Sequence, residues 1–242
     1  MATAPVPDLT FNPQARIQGR YIGREGQPLL IIDDVLKYPQ SLVDYATHQS
    51  VFRPPSERSS YPGLNGDLPP AYGTELVRAL RPLLQQGFGI LERETLSYQG
   101  FFGLTTARAQ DLQPLQLIPH CDSQKPFRLA MVHYFCGAPF RGTAFFRHRS
   151  TGFEHVDHRR YDTYRTTVEA ELGRAAPPQA YVDQATPYYE QIDQVEAVFN
   201  RLAVYRTTSL HSALMDGGAL TADPATGRLT ANSFVEAIPP TA

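Results

Sequence analysis

From about Leu91 onward the chain reads as a series of short stretches rich in β-formers: Glu92 to Gly103, Gln113 to Pro119, Arg128 to Cys136 and Thr143 to Phe146. Each is closed by turn residues. A chain punctuated this way does not make a helical bundle. Its 21 prolines point in the same direction, because proline lacks a backbone donor and suits turns and short strands better than helix interiors. Val156 to Leu172 and Pro187 to Phe199 carry helical spacing instead, with a Pro-Pro loop between them, and Arg201 to Thr207 and Arg228 to Glu236 return to β-character. Strands, a helical insertion over residues 156–200 and strands again predict one sheet domain over 91–236, closed by its last strands.

Residues 1–90 read as supporting structure for that sheet, which makes 1–242 a single domain. The first 18 residues show no period and are expected to form an extended arm. Pro28-Leu29-Leu30-Ile31-Ile32, ended by Asp33-Asp34, reads as a buried strand. A helix follows Pro39 through Leu42, Val43 and Ala46. Pro54 to Ala71 is loop punctuation. Residues 73–86 make an amphipathic helix through Leu76, Leu80, Leu83 and Leu84.

Charge removes some function classes. With 22 Lys and Arg against 24 Asp and Glu, the chain has no basic field to hold nucleic acid or an anionic membrane, so neither is an expected partner. The N-terminal stretch lacks a cationic start followed by an apolar run, and no later segment has the length of a membrane-spanning helix. A cytoplasmic protein is expected, with Cys121 and Cys136 as free thiols.

In Leu115-Gln116-Leu117-Ile118-Pro119-His120-Cys121-Asp122, an apolar run leads directly into His-x-Asp. Strand side chains alternate faces, so on a strand His120 and Asp122 project together while Cys121 points away. Leu210-His211-Ser212, just past the strand candidate Leu202 to Arg206, offers a third ligand. Two histidines and one carboxylate on one side of a cation leave the opposite positions open, as non-haem Fe(II) oxygenases require. His-x-Asp alone is weak: 7 His and 13 Asp in this chain predict roughly 0.4 chance occurrences, and His155-Val156-Asp157 is a second copy. Order favours the first copy, because strands follow His120 whereas chiefly helix separates His155 from His211. His155, Asp157 and His158 read as a solvated helix start.

A 2-oxo acid bound to such a metal through its C1 end carries a distal carboxylate, which a buried arginine can pair bidentately. In Gly227-Arg228-Leu229-Thr230-Ala231-Asn232-Ser233-Phe234, Arg228, Thr230 and Asn232 share one strand face, giving an Arg-x-Thr pair. Arg206, five residues before His211, is the rival carboxylate partner, or else a substrate contact.

These residues together resemble the Fe(II)/2-oxoglutarate-dependent dioxygenase superfamily, and within it a prolyl-hydroxylase-like bacterial branch. The resemblance rests on Ile31 to Leu36 with the helix after it, Tyr61-Pro62-Gly63, His120-Cys121-Asp122, Gly142 to Phe146, His211-Ser212 and Arg228-Leu229-Thr230. It implies a mainly β fold with flanking helices, a double-stranded β-helix (jelly roll, cupin-like). It further implies Fe(II) on His120, Asp122 and His211, and 2-oxoglutarate on Arg228, with Thr230 where serine is usual. Arg228 lies 17 residues after His211, a longer gap than the superfamily pattern, and the loop Ala213 to Thr226 has to absorb it. Asp122 in place of glycine or alanine implies hydroxylation or a related oxidation rather than halogenation. The implied reaction consumes O2 and releases succinate and CO2 while a small molecule or an amino-acid side chain is oxidised. Near the site, Tyr134, on the strand with His133, is a candidate donor to the cosubstrate. Arg141, Arg147, His148 and Arg149 are candidate rim contacts, and Tyr61, Tyr98 and the 156–200 insertion are candidate lid elements. Two other readings use the same residues: a catalytically inactive jelly-roll binding or regulatory protein, and a Zn or Mn cupin-type enzyme.

Overall fold

The computed structural model describes residues 6–56, 61–184, 186–215 and 220–239. Among them are ten strands and three α-helices. The strands are β1 (Arg16–Ile22), β2 (Gln27–Asp33), β3 (Gly63–Gly66), β4 (Thr95–Thr105), β5 (Arg128–Tyr134), β6 (Thr143–His148), β7 (Tyr189–Val195), β8 (Arg201–Arg206), β9 (His211–Ala213) and β10 (Arg228–Ile238). The helices are α1 (Gln40–His48), α2 (Tyr72–Phe88) and α3 (Tyr161–Arg174).

The strands form two antiparallel sheets. The larger runs β1-β2-β8-β5-β10-β4-β3 and the smaller β7-β6-β9. Beyond β9 the smaller sheet is extended by a two-residue bridge, His120 against His211. From β4 onward the chain therefore crosses repeatedly between the sheets: β4 in the large one, His120 in the small, β5 back in the large, β6 and β7 in the small, β8 large, β9 small, β10 large.

Side-chain parity separates three apolar layers. Leu129, Met131, Leu202, Val204, Leu229, Ala231 and Val235 face outward from the large sheet and meet Leu42, Leu76, Leu80 and Leu84 of α1 and α2. The opposite faces of the same strands present Ala130, Tyr134, Ala203 and Tyr205 to Phe145 and Val195 of the small sheet. Behind the small sheet, Ala144, Phe146 and Tyr189 pack against Tyr164 and Val168 of α3. The strand alternation that one buried face requires is thus used twice on the large sheet, which is covered on both sides. No helix among the described residues is long and apolar enough to cross a membrane.

Five elements differ from the sequence expectation, the first being strand β3, which lies inside the expected loop 54–71 and pairs with β4. Residues 16–18, expected in the arm, belong to an edge strand over residues 16–22. Ile17 and Tyr21 are exposed, so β1 lacks the buried period that would have marked it. Its hairpin to β2 turns through Gly23 at φ 67°, with Arg24 and Glu25 donating backbone N–H groups to the buried Glu154 carboxylate. A side chain on residue 23 would occupy that carboxylate's position. The expected strand 113–119 instead holds a 3-10 turn, Pro114–Gln116, which follows another at Ala109–Asp111; Gln113 caps it, and Pro114 suits its first position. The expected helix 187–199 contains strand β7. A bulge between the partners of Phe145 and Phe146 leaves Ile192 without a facing residue, which breaks the two-residue period. Tyr189, Ile192 and Val195 then recur every third residue and imitate a helix. Helix α3 begins at Tyr161 rather than near Val156. Asp157 accepts the backbone N–H groups of Arg159 and Arg160 in the turn before it, and His155 pairs with Glu25.

Candidate metal centre

His120 and Asp122 lie in a loop, and both are stitched by backbone to the segment that carries His211. His120 N donates to His211 O (3.0 Å), His211 N donates back to His120 O (2.9 Å), and Asp122 N donates to Thr207 O (2.9 Å). Because residues 120 and 122 are paired on the same partner segment, the i, i+2 projection survives without a preceding strand. Cys121 points the other way, into the layer beneath α3, where burial and then the Asp122 charge push its thiol up to about 11.

One ligand atom from each of His120, Asp122 and His211 lies within 4.8 Å of the others. His211 Nε2 stands 3.5 Å from Asp122 Oδ2, and His120 Nε2 stands 3.6 Å from Asp122 Oδ1. Bonds of about 2.1 Å to one shared cation place ligand atoms about 3.0–3.4 Å apart, so small rotations bring the three onto a common ion. His211 Nδ1 lies 2.9 Å from the carbonyl of Ser209. A carbonyl only accepts, so Nδ1 carries a proton, and in the neutral ring that burial favours the Nε2 lone pair faces the carboxylate. A lone pair aimed at a carboxylate is repulsive unless a cation lies between them, and a ligating histidine fixed by a backbone acceptor has this arrangement. Burial by itself would raise the Asp122 carboxyl; His211, His120 and Arg128 outweigh it and hold the group below its ordinary value. Burial, opposed by Asp122, holds the His211 imidazole below its own. The triad has one open side, since the His120 side chain is 46% exposed while that of His211 is 7%.

Along the inner face of the large sheet, facing positions follow one another in rows away from the triad. The first row is Tyr205, Ala130 and Phe234; then come Ala203, Val132, Asn232 and Phe101; then Tyr134, Thr230 and Gly103; and finally Arg228 opposite Thr105. Arg228 is 3% exposed. Its guanidinium donates to the carbonyls of Arg141 (3.3 Å) and Gly142 (3.1 Å), and among the described residues it has no carboxylate partner. Hydroxyls surround it. Tyr61 pairs with Thr105 (3.1 Å), Tyr134 with Thr143 (2.7 Å), and Asn232 donates to Thr230 (3.0 Å). Gly103 leaves the space that the Tyr61 hydroxyl and the Asn232 amide occupy, and any Cβ there would collide with both. Burial raises the Tyr61 and Tyr134 phenols, the latter to about 12, while the Arg228 charge works against both shifts.

A family model described as a family of unknown function (DUF6445) matches residues 13–235. The chain belongs to that family. No curated protein matches its sequence. Two solved structures resemble this DUF6445 chain. HygX from Streptomyces hygroscopicus with iron bound is 13% identical, with 88% of this chain and 83% of that one covered, at a TM-score of 0.43. HygX with nickel, 2-oxoglutarate and hygromycin B bound is 12% identical, with 88% and 84% covered, at a TM-score of 0.45.

In the DUF6445 chain, several residues singled out by sequence lie elsewhere. Arg206 is on the outer face of β8, where it donates to the carbonyls of Pro126 and Phe88 between the Phe88 and Phe127 rings. It therefore neither rivals Arg228 nor reaches the triad. His133 also faces outward, between Tyr72 (2.9 Å) and Asn200 (3.1 Å). Tyr98 packs beneath α2 and pairs with Ser233, which excludes it as a lid. Arg147, on the Phe145 face of β6, is held by Glu154 and Glu190 beside the β1–β2 turn, and His148 is held by Glu171 behind the small sheet. Arg141 reaches Gln194, and Arg149 is exposed. Of the insertion, residues 179–181 do reach the Arg228 end: Gln179 and Tyr181 donate to the carbonyls of Ala109, Leu112 and Ala107, and Tyr181 feels the Arg228 charge. Part of the loop Ala213 to Thr226 lies outside the described residues.

Sequence reasoning missed Tyr205, Thr105, Thr143 and Arg128. Arg128 stands near Asp122 with its Cζ 5.2 Å over Phe234 and its Nη2 on Gln99. Parity was the available signal for Tyr205, which shares the inner face of β8 with Ala203 on the strand leading to His211.

Proposed function

We propose that this chain is a non-haem Fe(II) and 2-oxoglutarate-dependent oxygenase that hydroxylates a small molecule or an amino-acid side chain. The balanced reaction is substrate C–H plus 2-oxoglutarate plus O2 giving alcohol, succinate and CO2. The observation that carries the reading is a pairing. His120, Asp122 and His211 converge with a histidine lone pair turned toward the carboxylate, and a buried Arg228 without a carboxylate partner among the described residues lies farther along the same inter-sheet face. On this reading the alternation of the chain between its two sheets is that of a double-stranded β-helix, a jelly roll, with the ligands on the small sheet and the arginine on the large one.

The donor set fits Fe(II), which His120, Asp122 and His211 would hold. Bound there, Fe(II) supplies the redox chemistry that couples decarboxylation of the 2-oxo acid by O2 to oxidation of the substrate. The chain's own part is placement. Arg228, with Thr230 beside it, receives the distal carboxylate. The Tyr61, Tyr134 and Thr143 hydroxyls line that end, and Ala130 and Ala203 present only small side chains on the floor. The Ser209 carbonyl fixes the His211 tautomer, so Nε2 stays available at neutral pH.

Anaerobic titration with Fe(II) and 2-oxoglutarate tests the reading. A visible charge-transfer band, and slow succinate release once O2 is admitted, are expected from the native protein. His120→Ala abolishes both while leaving the circular dichroism spectrum unchanged, because the His120 side chain is half exposed. Turnover that persists in His120→Ala, or that Zn(II) restores as well as Fe(II), rejects the proposal.

A further inference from the structure

Tyr205 is 2% exposed, and among the described residues its hydroxyl has no hydrogen-bond partner. Both facts are unusual together, because a buried phenol left unpaired forfeits the hydration of its polar end. The ring is held firmly: it packs edge-on against the His211 imidazole at 4.8 Å and against Phe145 at 5.0 Å. Tyr205 projects from the inner face of β8 in the row nearest the triad, opposite Ala130, whose methyl leaves room above it. The hydroxyl tip keeps a small accessible surface rather than being sealed in the core. From that row the inner face runs on through Ala203 and Val132, then Tyr134 and Thr230, to Arg228, so Tyr205 stands at the triad end of the face that Arg228 closes.

We propose that Tyr205 is a binding residue whose hydroxyl donates a hydrogen bond to the metal-proximal carboxylate of the 2-oxo acid held between the triad and Arg228. The inference rests on the oxygenase reading and deepens it by assigning the two ends of the cosubstrate to different residues. Arg228 selects the distal carboxylate. Tyr205 orients the end that both carboxylated and uncarboxylated 2-oxo acids share. Its ring also backs the His211 imidazole, so ligand orientation and cosubstrate orientation are set by one side chain.

The experiment compares Tyr205→Phe, Arg228→Met and the native protein, each loaded anaerobically with Fe(II) and titrated with 2-oxoglutarate and separately with 2-oxobutyrate, which lacks the distal carboxylate. Phenylalanine keeps the ring on His211 and Phe145, so Fe(II) affinity is expected to stay at the native value. Loss of one hydrogen bond to a charged acceptor is expected to weaken both 2-oxo acids in Tyr205→Phe by about ten- to hundredfold and to move the charge-transfer band. Arg228→Met is expected to weaken 2-oxoglutarate alone. Native affinity for both acids in Tyr205→Phe, with an unmoved band, overturns the assignment. So does a loss confined to 2-oxoglutarate, which would put the hydroxyl at the distal end. If the native protein itself shows no band with either acid, the oxygenase reading fails and this inference falls with it.

Discussion

Replacing Arg228 by methionine separates a ligand-binding arginine from a structural one, because the two roles predict opposite effects on the empty protein. The guanidinium is 3% exposed and its fixed partners are two carbonyls at 3.3 and 3.1 Å. Hydrogen bonds from a charged donor contribute about 1.5–3 kcal/mol each, and at these distances the lower figure applies, so the pair contributes about 3 kcal/mol. Against this stands the cost of desolvating an uncompensated charge, which is several kcal/mol. Methionine is of similar length, and the Gly142 carbonyl keeps the Leu214 N–H at 3.0 Å. The stability of the empty variant, read from urea denaturation, is therefore expected within about 1 kcal/mol of the native protein or above it. Cosubstrate binding behaves differently. A distal carboxylate left in a buried site without its counter-charge loses about 3–4 kcal/mol, so the dissociation constant for 2-oxoglutarate rises about 10²–10³-fold. A variant destabilised by more than about 3 kcal/mol that still binds 2-oxoglutarate normally would refute the reasoning and make Arg228 a packing residue.

Three further outcomes follow from particular contacts. Burial holds His133 neutral, with its pKa lowered from 6.5 to about 4. The unfolded chain then binds the extra proton first, so stability falls as pH drops from 6.5 toward 4. The loss totals about 3 kcal/mol, and His133→Gln flattens this slope in urea midpoints compared at pH 7.5 and 5. In Gly23→Ala, the new methyl must displace the Glu154 carboxylate from the β1–β2 turn at a backbone φ of 67°. A loss of about 2 kcal/mol or more is expected on denaturation, and an unchanged midpoint would contradict the described turn. Arg206→Met removes the contacts to Phe88 O and Pro126 O on the outer face of β8. It should cost about 1–2 kcal/mol of stability and leave 2-oxoglutarate affinity alone, whereas a collapse of that affinity would place Arg206 on the wrong face here.

Parity along strands made much of the candidate site legible. Once β10 is taken as a strand, Arg228, Thr230 and Asn232 must share a face, and the structure puts that face between the sheets. The same rule applied to Arg206 fails only because its face could not be chosen from sequence. Leu202, Val204 and Arg206 form one apolar-looking row and Ala203 and Tyr205 the other, and both are buried, since helices cover one side of the large sheet and the small sheet covers the other. A strand buried on both faces gives no polarity contrast to orient it. Strand β7 was illegible for a different reason: a bulged residue changes the local period from two toward three, and that is a property of its pairing with β6 rather than of the segment itself.

The apolar run before His120 shows how two side chains can be placed on one side from a wrong element. Residues 113–119 do not form the expected strand, yet His120 and Asp122 still project to one side, because each is bonded through its backbone to the segment 207–211. The i, i+2 rule depends on extended pairing at the ligands themselves and not on what leads up to them. In the chain, β5, β6, α3, β7 and β8 separate the two halves of the triad, so it is a long-range product of the fold. Geometry that the chain reaches only by closing both sheets gives a bound cation little purchase on the unfolded state. Metal binding should therefore draw its free energy from the closed form and stabilise β9 and the 119–122 loop first.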